Sequence, residues 1–200
     1  MYSKITRLVL LCAITTLCGC YSFSSIGKVP SGSEKIVVSK NSNLAAYVAG
    51  VNVRDLNSAV NTAEGFERRV VSQLQQSGYF SDVMLGIYQK RPEPPYVDLT
   101  FNINEKEYPH PVLNGLKGFF IGLTLFLLAP VLPMNYDFET DFSLIAKWTD
   151  GTQREYIASC SASAYGTLAS NFIGEATKAK LDSTERCLTS TINQLTSKKD

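Results

Sequence analysis

Residues 138–164 read FETDFSLIAKWTDGTQREYIASCSASA, and this stretch decides the class of fold. Apolar side chains alternate with polar ones on both sides of Asp150-Gly151, which is the period of strands that bury one face. The Asp-Gly pair is itself a strong signal for a tight hairpin turn. The stretch therefore predicts two adjacent antiparallel strands. Their inward residues are Phe138, Phe142, Leu144, Ala146 and Trp148 before the turn, and Tyr156, Ala158, Cys160, Ala162 and Ala164 after it.

Two amphipathic helices are predicted to cover these strands. The first begins near Asn61, which has the spacing of a capping box with Glu64, and ends before Gly78. The second runs from about Asn171 to Thr196. In each, apolar side chains recur at three- and four-residue steps on one face. The expected buried residues are Ala63, Phe66, Val70 and Leu74 in the first helix, and Ile173, Leu181, Leu188, Ile192 and Leu195 in the second.

Further strands are predicted upstream of the hairpin. Residues 97–103 alternate between apolar and polar, residues 79–86 fit a strand, and residues 36–38 (IVV) fit a short first strand. Residues 44–56 fit either a strand or a loop. The resulting order predicts an α+β fold, which is a mainly antiparallel sheet with two helices on one face and an apolar insert between strands.

The N-terminus has the layout of a bacterial export signal. Lys4 and Arg7 precede an apolar stretch from Leu8 to Leu17, which is too short to span a membrane. Such a layout predicts a segment that is removed from the mature protein. An ordinary cleaved signal and a lipoprotein signal both begin in this way.

Residues 17–20, LCGC, resemble the bacterial lipobox, in which the final cysteine is lipidated. The resemblance implies that residues 1–19 are a lipoprotein signal peptide and that Cys20 carries acyl chains, which anchor a protein stably when there are two or more. Tyr21 stands where an Asp would favour retention at the inner membrane. The resemblance therefore implies the outer membrane, with the chain on the periplasmic face.

Charge and composition narrow the classes of partner. Without Lys4 and Arg7, 17 basic residues remain against 18 acidic ones, and no basic run interleaves with aromatic residues. Nucleic acid is therefore not an expected partner. Residues 20–34 are rich in Ser and Gly and predict a flexible tether, which leaves residues 35–200 as a single periplasmic domain.

Two cysteines, Cys160 and Cys187, remain in the predicted domain besides Cys20. An even pair in an oxidising compartment fits a disulfide. The alternative is a pair of buried thiols that pack as small apolar groups.

The apolar insert, residues 118–134, lies in a stretch of 19 residues without charge, Gly118 to Tyr136, of which ten are Leu, Ile, Val or Phe. It fits a transmembrane span, a re-entrant or interfacial hairpin, or a segment buried against a partner. A span would separate strands of one sheet across a membrane, so the hairpin, with two arms of about eight residues, is favoured. The predicted membrane or partner contacts are Phe119, Phe120, Leu123, Leu125, Phe126, Leu127 and Leu128.

Residues that carry catalysis are sparse. His110 is the single histidine and lies between two prolines, which favours a rigid turn and excludes a histidine-rich metal site. No nucleophile, phosphate-binding or dinucleotide-binding motif occurs. Glu105 and Glu107 share a strand face and form the candidate carboxylate pair, although a polar strand end explains both. The expectation is a protein with no enzymatic activity, cofactor or metal.

Residues 69–83, RVVSQLQQSGYFSDV, resemble a feature of several envelope proteins, in which a helix ends in Gly and an aromatic residue and leads into a strand. The feature is similar to one in the N-terminal domain of the Tol system's periplasmic propeller protein and in the lipopolysaccharide-assembly lipoprotein. The resemblance implies a fold rather than an activity.

Two functions remain open. The expected function is a lipid-anchored, non-enzymatic accessory or assembly component of a membrane complex, which binds an unidentified envelope protein through its sheet edge or its insert. The alternative is a periplasmic carrier of lipid or glycolipid, which would use aromatic residues on the inner face of the sheet, such as Phe142 and Trp148.

Overall fold

A computed structural model describes residues 22–30, 33–38, 43–54, 63–108, 110–124, 127–130 and 132–197. The predicted signal peptide, Cys20, Asn61, Leu125 and Phe126 lie outside these ranges, as does the side chain of Glu64. Within them, six strands form one sheet in the order β1-β6-β5-β4-β2-β3. The strands are β1 Ser22–Ile26, β2 Ala45–Arg54, β3 Asp82–Leu85, β4 Tyr96–Tyr108, β5 Pro133–Trp148 and β6 Gln153–Thr167, and the helices are α1 Ala63–Ser77, α2 Pro111–Leu123 and α3 Phe172–Ser197.

The predicted hairpin is formed by β5 and β6. Gly151 has a φ of 89°, and its N–H donates to the carbonyl of Trp148 at 3.0 Å. This left-handed backbone is the one that favours glycine, which is why an Asp-Gly pair marks the turn. On both strands the residues predicted to face inward are buried, except Trp148, which is partly buried against the core.

The α+β class is confirmed, and the sheet is mixed rather than purely antiparallel. β1 pairs antiparallel with β6, whereas β2 is parallel to both β3 and β4. Parallel neighbours need a crossover connection rather than a hairpin. Helix α1 supplies it between β2 and β3, and an amphipathic helix at that point in the chain is what the sequence predicts.

Two predictions for the N-terminal part of the domain are corrected. Residues 36–38 form no strand, because the N–H of Val37 donates to Asn193 Oδ1 at 2.9 Å and Asn193 Nδ2 donates to the carbonyl of Lys35 at 2.8 Å. This segment therefore bonds to a helix side chain instead of a neighbouring strand. Residues 22–26 fall in the predicted flexible tether, yet they are strand β1.

The chain divides into two compact units. The first unit comprises the described residues within Met1–Gly27, Glu107–Phe138 and Ala162–Leu181; the second comprises those within Lys28–Lys106, Glu139–Ser161 and Asp182–Asp200. Strands β4, β5 and β6 and helix α3 contribute residues to both. A single domain of residues 35–200 was the expectation, and the two units are described separately below.

The second unit has the larger core. Helices α1 and α3 both pack on the inward face of its strands, as predicted, and Phe66 of α1 meets Phe142 of β5 edge to face at 6.3 Å. Its fully buried side chains include Leu74, Leu99, Phe101, Leu144, Leu188 and Ile192.

The first unit has a small core of its own. Its buried residues are Ile121, Met134, Phe138, Ala162, Ala164, Phe172, Ala176 and Ala179. Ile173 was expected in the buried stripe of the C-terminal helix, but it is 75% exposed and its neighbour Phe172 is buried. The ring of Phe172 lies 5.6 Å from that of Tyr136, so the start of α3 is fixed by an aromatic contact with β5.

Candidate functional site

Helix α2 forms the beginning of the apolar insert. Pro111 occupies the first turn, where its missing N–H costs nothing, and His110 precedes it as the N-cap with a φ of 46°. The helix ends at Leu123 and is capped by Thr124, whose N–H and hydroxyl both donate to the carbonyl of Phe120, at 3.1 and 2.8 Å. The helix therefore begins before the charge-free run and occupies 13 residues.

One side of α2 attaches the helix to the first unit, and we call it the docking stripe: Asn114, Lys117 and Ile121. Asn114 Nδ2 donates to the carbonyl of Asn135 at 2.8 Å, and Lys117 Nζ donates to the carbonyl of Pro133 at 2.6 Å. Ile121 is 1% exposed and belongs to the small core. These three residues are spaced by three and four, so they share one helix face.

The opposite side of α2 is apolar and exposed to solvent. Val112, Leu116, Phe119 and Leu123 recur at steps of four, three and four, which places them on one face. Leu113 and Phe120 lie beside them. We call these six residues the apolar face of α2; their exposed fractions are Val112 85%, Leu113 47%, Leu116 55%, Phe119 64%, Phe120 45% and Leu123 67%.

This orientation is the reverse of an ordinary surface helix, which turns its apolar stripe to the core and its polar residues to water. In α2 the polar side chains of the docking stripe are used for attachment, and the apolar face is left in water. Contiguous apolar patches on soluble domains usually mark a surface that contacts a membrane or a protein. The apolar face of α2 is therefore the candidate functional site.

Only some of the residues predicted to contact a membrane or a partner lie on the apolar face of α2. Phe119, Phe120 and Leu123 lie in the apolar face, and Leu127 is 78% exposed. Leu128 is partly buried and packs on the small core instead, because the turn after α2 folds back onto it. Leu125 and Phe126 lie outside the described residues. Sequence reasoning missed Val112, Leu113 and Leu116, although their helical spacing with Phe119 and Leu123 is visible in the sequence.

The insert does not consist of two equal arms of about eight residues, because α2 extends over 13 residues from Pro111 and β5 already begins at Pro133. Among the described residues, no helix is both long enough and apolar enough to cross a membrane.

A contact between His110 and Asp137 fixes the N-terminus of α2. His110 Nε2 lies 2.7 Å from Asp137 Oδ2, so the turn residue predicted from its flanking prolines is joined to β5. Burial raises the pKa of Asp137, but the hydrogen bonds from Ser163 and His110, with the positive charge of His110, lower it further, and the net shift is downward. Asp137 lies between the serine and the histidine. A catalytic triad needs the histidine in the middle, so this cluster does not activate Ser163.

The two candidate carboxylates, Glu105 and Glu107, have different surroundings. Glu107 Oε1 accepts a hydrogen bond at 2.9 Å from Lys180, whose side chain is 6% exposed and whose Nζ also lies 5.9 Å from the ring centre of Phe138. Glu105 is 2% exposed. In the described part of the chain, no group of three His, Cys, Asp or Glu side chains is placed to hold a metal ion.

Cys160 and Cys187 are joined by a disulfide in the second unit, with a Cα–Cα distance of 5.7 Å. The two residues are 1% and 0% exposed, so the bond lies inside the larger core and links β6 to α3.

Among the described residues of the second unit, Phe142 and Trp148 do not line a wide apolar groove. Phe142 is 1% exposed and part of the larger core. The groove beside Trp148 has a volume of about 260 Å³, below the usual range for small-molecule sites, and Asp150 and Arg154 line it. A larger groove of about 690 Å³ is lined mainly by polar and charged side chains, among them Glu34, Lys35, Asp182, Glu185 and Arg186.

No protein-family model matches the chain, and no curated protein of similar sequence was found. Among solved structures, a homolog of neuraminyllactose-binding hemagglutinin from Helicobacter pylori has 7% identity over 84% of this chain and 88% of that chain, with a TM-score of 0.41. The PelC dodecamer of Paraburkholderia phytofirmans has 12% identity over 90% and 100%, with a TM-score of 0.35. A variant of that dodecamer has 10% identity over 88% and 98%, with a TM-score of 0.31.

These likenesses are too low to carry an argument about function. No comparison tests the resemblance of residues 69–83 to envelope proteins, so that resemblance stays a prediction.

Proposed function

We propose that this protein is a lipid-anchored component of the bacterial envelope, held by Cys20 at the periplasmic face of the outer membrane, and that it acts as a non-enzymatic accessory or assembly component of a membrane complex. The observation that carries this proposal is the apolar face of α2. It is a surface for contact, because nothing in the first unit covers it among the described residues and its side chains offer no group for chemistry.

The energetic size of this face supports a role in binding. Covering a fully exposed Val, Leu or Phe side chain contributes about 1.5 to 3 kcal/mol. The six residues of the apolar face are on average rather more than half exposed. Covering all six would therefore contribute on the order of 5 to 10 kcal/mol before the costs of association. Such a surface would be a liability for aggregation if it had no occupant.

Two further features are consistent with an exported protein. The residues 17–20 resemble a lipobox, and the Cys160–Cys187 disulfide is of the kind that persists in oxidising compartments. The proposal of a non-enzymatic role rests on the His110, Asp137 and Ser163 cluster, in which the order of the groups does not activate a nucleophile.

The proposal is tested by isolating the full chain from cells and measuring the mass of its N-terminal peptide. We expect the chain to begin at Cys20 with acyl chains attached and to be recovered with outer membranes. An unmodified Cys20 in a chain recovered from the soluble fraction would overturn the proposal.

A second measurement tests the binding role. A photo-crosslinking amino acid at Leu116 should yield crosslinks to envelope components in intact cells, and the same group at Ile157 should yield few. Ile157 is a suitable control because it is 64% exposed, like Phe119, but lies on strand β6 of the second unit. Equal crosslinking from the two positions would show that the apolar face has no special contact.

A further inference from the structure

We propose that the apolar face of α2 inserts into the hydrocarbon of the leaflet that holds the acyl chains of Cys20, with the helix lying along the membrane surface. This inference rests on the proposed lipid anchor at Cys20. It names the occupant of the face as lipid hydrocarbon, so the face supplies the contact with the membrane and a protein partner of the complex would bind elsewhere on the chain.

The first argument is the short connection between the anchor and the first unit. Cys20 precedes Ser22, the first residue of β1, by two residues. Two extended residues reach at most about 7 Å. Because β1 is a strand paired with β6 and not part of a tether, the acylated residue is held within this distance of the first unit. The unit therefore stays at the membrane surface.

The second argument is that β1 and α2 are attached to one small body. Ser22 pairs with Gly166, and a Cβ placed on Gly166 would lie 2.8 Å from Ser22 Cβ and 3.1 Å from Phe172 Cδ2. Phe172 belongs to the same small core as Ile121 of the docking stripe. The strand that begins beside the anchor and the helix that carries the apolar face thus pack against the same group of side chains.

The third argument is the chemistry of the face. It contains no charged residue, and Lys117, the one cation of α2, is directed to the carbonyl of Pro133. Attraction to anionic headgroups needs basic side chains beside the apolar ones. A face without them fits the hydrocarbon just below the headgroups. The 13-residue helix is about 20 Å long, so it lies in the interface and does not cross it.

The lipid anchor favours hydrocarbon over a second copy of the chain as the occupant of the face. The acyl chains of Cys20 already hold the unit at a leaflet, so the helix meets hydrocarbon there without the area of about 800 Å² on each partner that a stable protein interface buries.

The experiment places a tryptophan reporter on α2 of the acylated full chain, reconstituted in phosphatidylcholine vesicles whose acyl chains carry bromine, which quenches tryptophan on contact. The reporter is Leu123→Trp, at the C-terminal end of the apolar face. The matched control is Gly122→Trp, on the flank of the same helix, where an added Cβ meets nothing within 4 Å. The unaltered chain, with its single Trp148, gives the baseline.

We expect strong quenching of Leu123→Trp and much weaker quenching of Gly122→Trp, with no change when salt is raised. Adding Leu116→Asn and Phe119→Asn should remove most of the quenching at position 123, whereas adding Ile157→Asn should not. Circular dichroism of each variant confirms that the fold is retained, which is expected because every altered side chain is exposed.

Three results would overturn the inference while leaving the proposed function standing: an acylated chain whose Leu123→Trp is not quenched, quenching that requires anionic lipid or disappears with salt, and crosslinked dimers formed through α2. The proposed function fails separately if Cys20 carries no lipid. In that case, quenching of the chain added to preformed vesicles still decides whether the apolar face enters the hydrocarbon.

Discussion

At the scale of single residues, Gly166 decides whether β1 can lie against β6. Its backbone is not in the left-handed region, so the need for glycine comes from space alone: an added Cβ would meet Ser22 Cβ at 2.8 Å and Ser22 Cα at 3.0 Å. Since one of these atoms is backbone, the strand itself must shift. We expect Gly166→Ala to lower the free energy of unfolding by about 1 to 3 kcal/mol, as overpacking does.

The measurement is urea unfolding of the full chain, with Gly50→Ala as the control. Gly50 is also a strand glycine, but an added Cβ there meets nothing within 4 Å. The control should be neutral or slightly more stable. Equal midpoints for the two variants would show that Gly166 is not held by contact with β1.

The contact between His110 and Asp137 predicts a dependence of stability on pH. The pKa of Asp137 is lowered in the folded protein, so the stabilisation it provides is present above its unfolded pKa of about 3.9 and is lost as pH falls through the lower folded value. Both side chains are about two-fifths exposed, so the pair is worth about 0.2 to 1 kcal/mol. Asp137→Asn should be less stable than the natural chain by this amount at pH 7.

Unfolding of the same variant in acid checks this prediction. When unfolding is followed from pH 7 into acid, the difference between Asp137→Asn and the natural chain should close as pH falls through the lowered folded pKa of Asp137, because below it the carboxyl is protonated in both the folded and the unfolded state. A difference that stays constant over this range would mean that the ionised carboxylate contributes nothing.

At the scale of elements, the docking stripe is what keeps the apolar face of α2 turned outward. The charged amine of Lys117 donates to the carbonyl of Pro133, and hydrogen bonds from charged groups are worth about 1.5 to 3 kcal/mol. Lys117→Met keeps the length of the side chain but removes the donor. We expect faster hydrogen exchange of the α2 amides in this variant, by about tenfold or more.

Val112→Ala is the matched control for that experiment. Val112 lies on the same helix and is 85% exposed, so its truncation removes no contact with the first unit. Its exchange rates should equal those of the natural chain. If Lys117→Met and Val112→Ala exchange alike, the lysine does not hold the helix.

The disulfide joins two elements of the second unit, β6 and α3, across a sequence separation of 27. On the loop-entropy account, a bond that closes a loop of this length stabilises by about 3.5 kcal/mol. Reducing the natural chain should therefore lower its urea midpoint markedly. The variant with Cys160→Ala and Cys187→Ala should lose at least as much, and reductant should have no further effect on it. A midpoint that does not respond to reductant in the natural chain would show that the bond contributes nothing.

The sequence predicted best those elements whose own residues show a periodic alternation or a turn motif. Strand β4 alternates over residues 97–103, and the Asp150-Gly151 turn needs a backbone that glycine favours. Strand β1 could not be foreseen in the same way, because Ser22–Ile26 (SFSSI) has no buried alternation and becomes a strand through its pairing with β6. The sequence of strand β2 fits either a strand or a loop, since Gly50 interrupts its apolar residues, and in the structure Gly50 lies at a register shift.

The sequence predicted only part of the candidate site, because the remaining residues lie before the charge-free run. A search for charge-free runs begins at Gly118, so it excludes Val112, Leu113 and Leu116, which lie before Lys117. The helical spacing of these residues with Phe119 was available in the sequence. The sequence could not show that Lys117 and Asn114 are turned toward the first unit. Their orientation depends on the carbonyl groups of Pro133 and Asn135, which lie on strand β5.

At the scale of the whole molecule, we expect damage to the larger core to destabilise both units and damage to the small core to destabilise the first unit alone. Strand β5 serves both: Phe138 is buried in the small core of the first unit, and Phe142, four residues later, is buried in the larger core of the second. Replacing a buried Phe by Ala costs about 3 to 5 kcal/mol. The larger core holds most of the described buried apolar residues of the two units, so we expect β4, β5, β6 and α3 to lose their structure when it is disrupted.

Phe142→Ala should therefore speed hydrogen exchange in both units, whereas Phe138→Ala should speed it in the first unit alone. The readout is exchange at the amides of β1 and α2 for the first unit and of β2 for the second, since β2 lies wholly within the second unit. If Phe138→Ala also exposes β2, the chain unfolds as one cooperative body and the small core is not a separate element of stability. If each variant speeds exchange only in the unit that contains it, the shared strands do not couple the stabilities of the two units. The asymmetric result is the one that fits a small, locally stabilised unit carrying the apolar face.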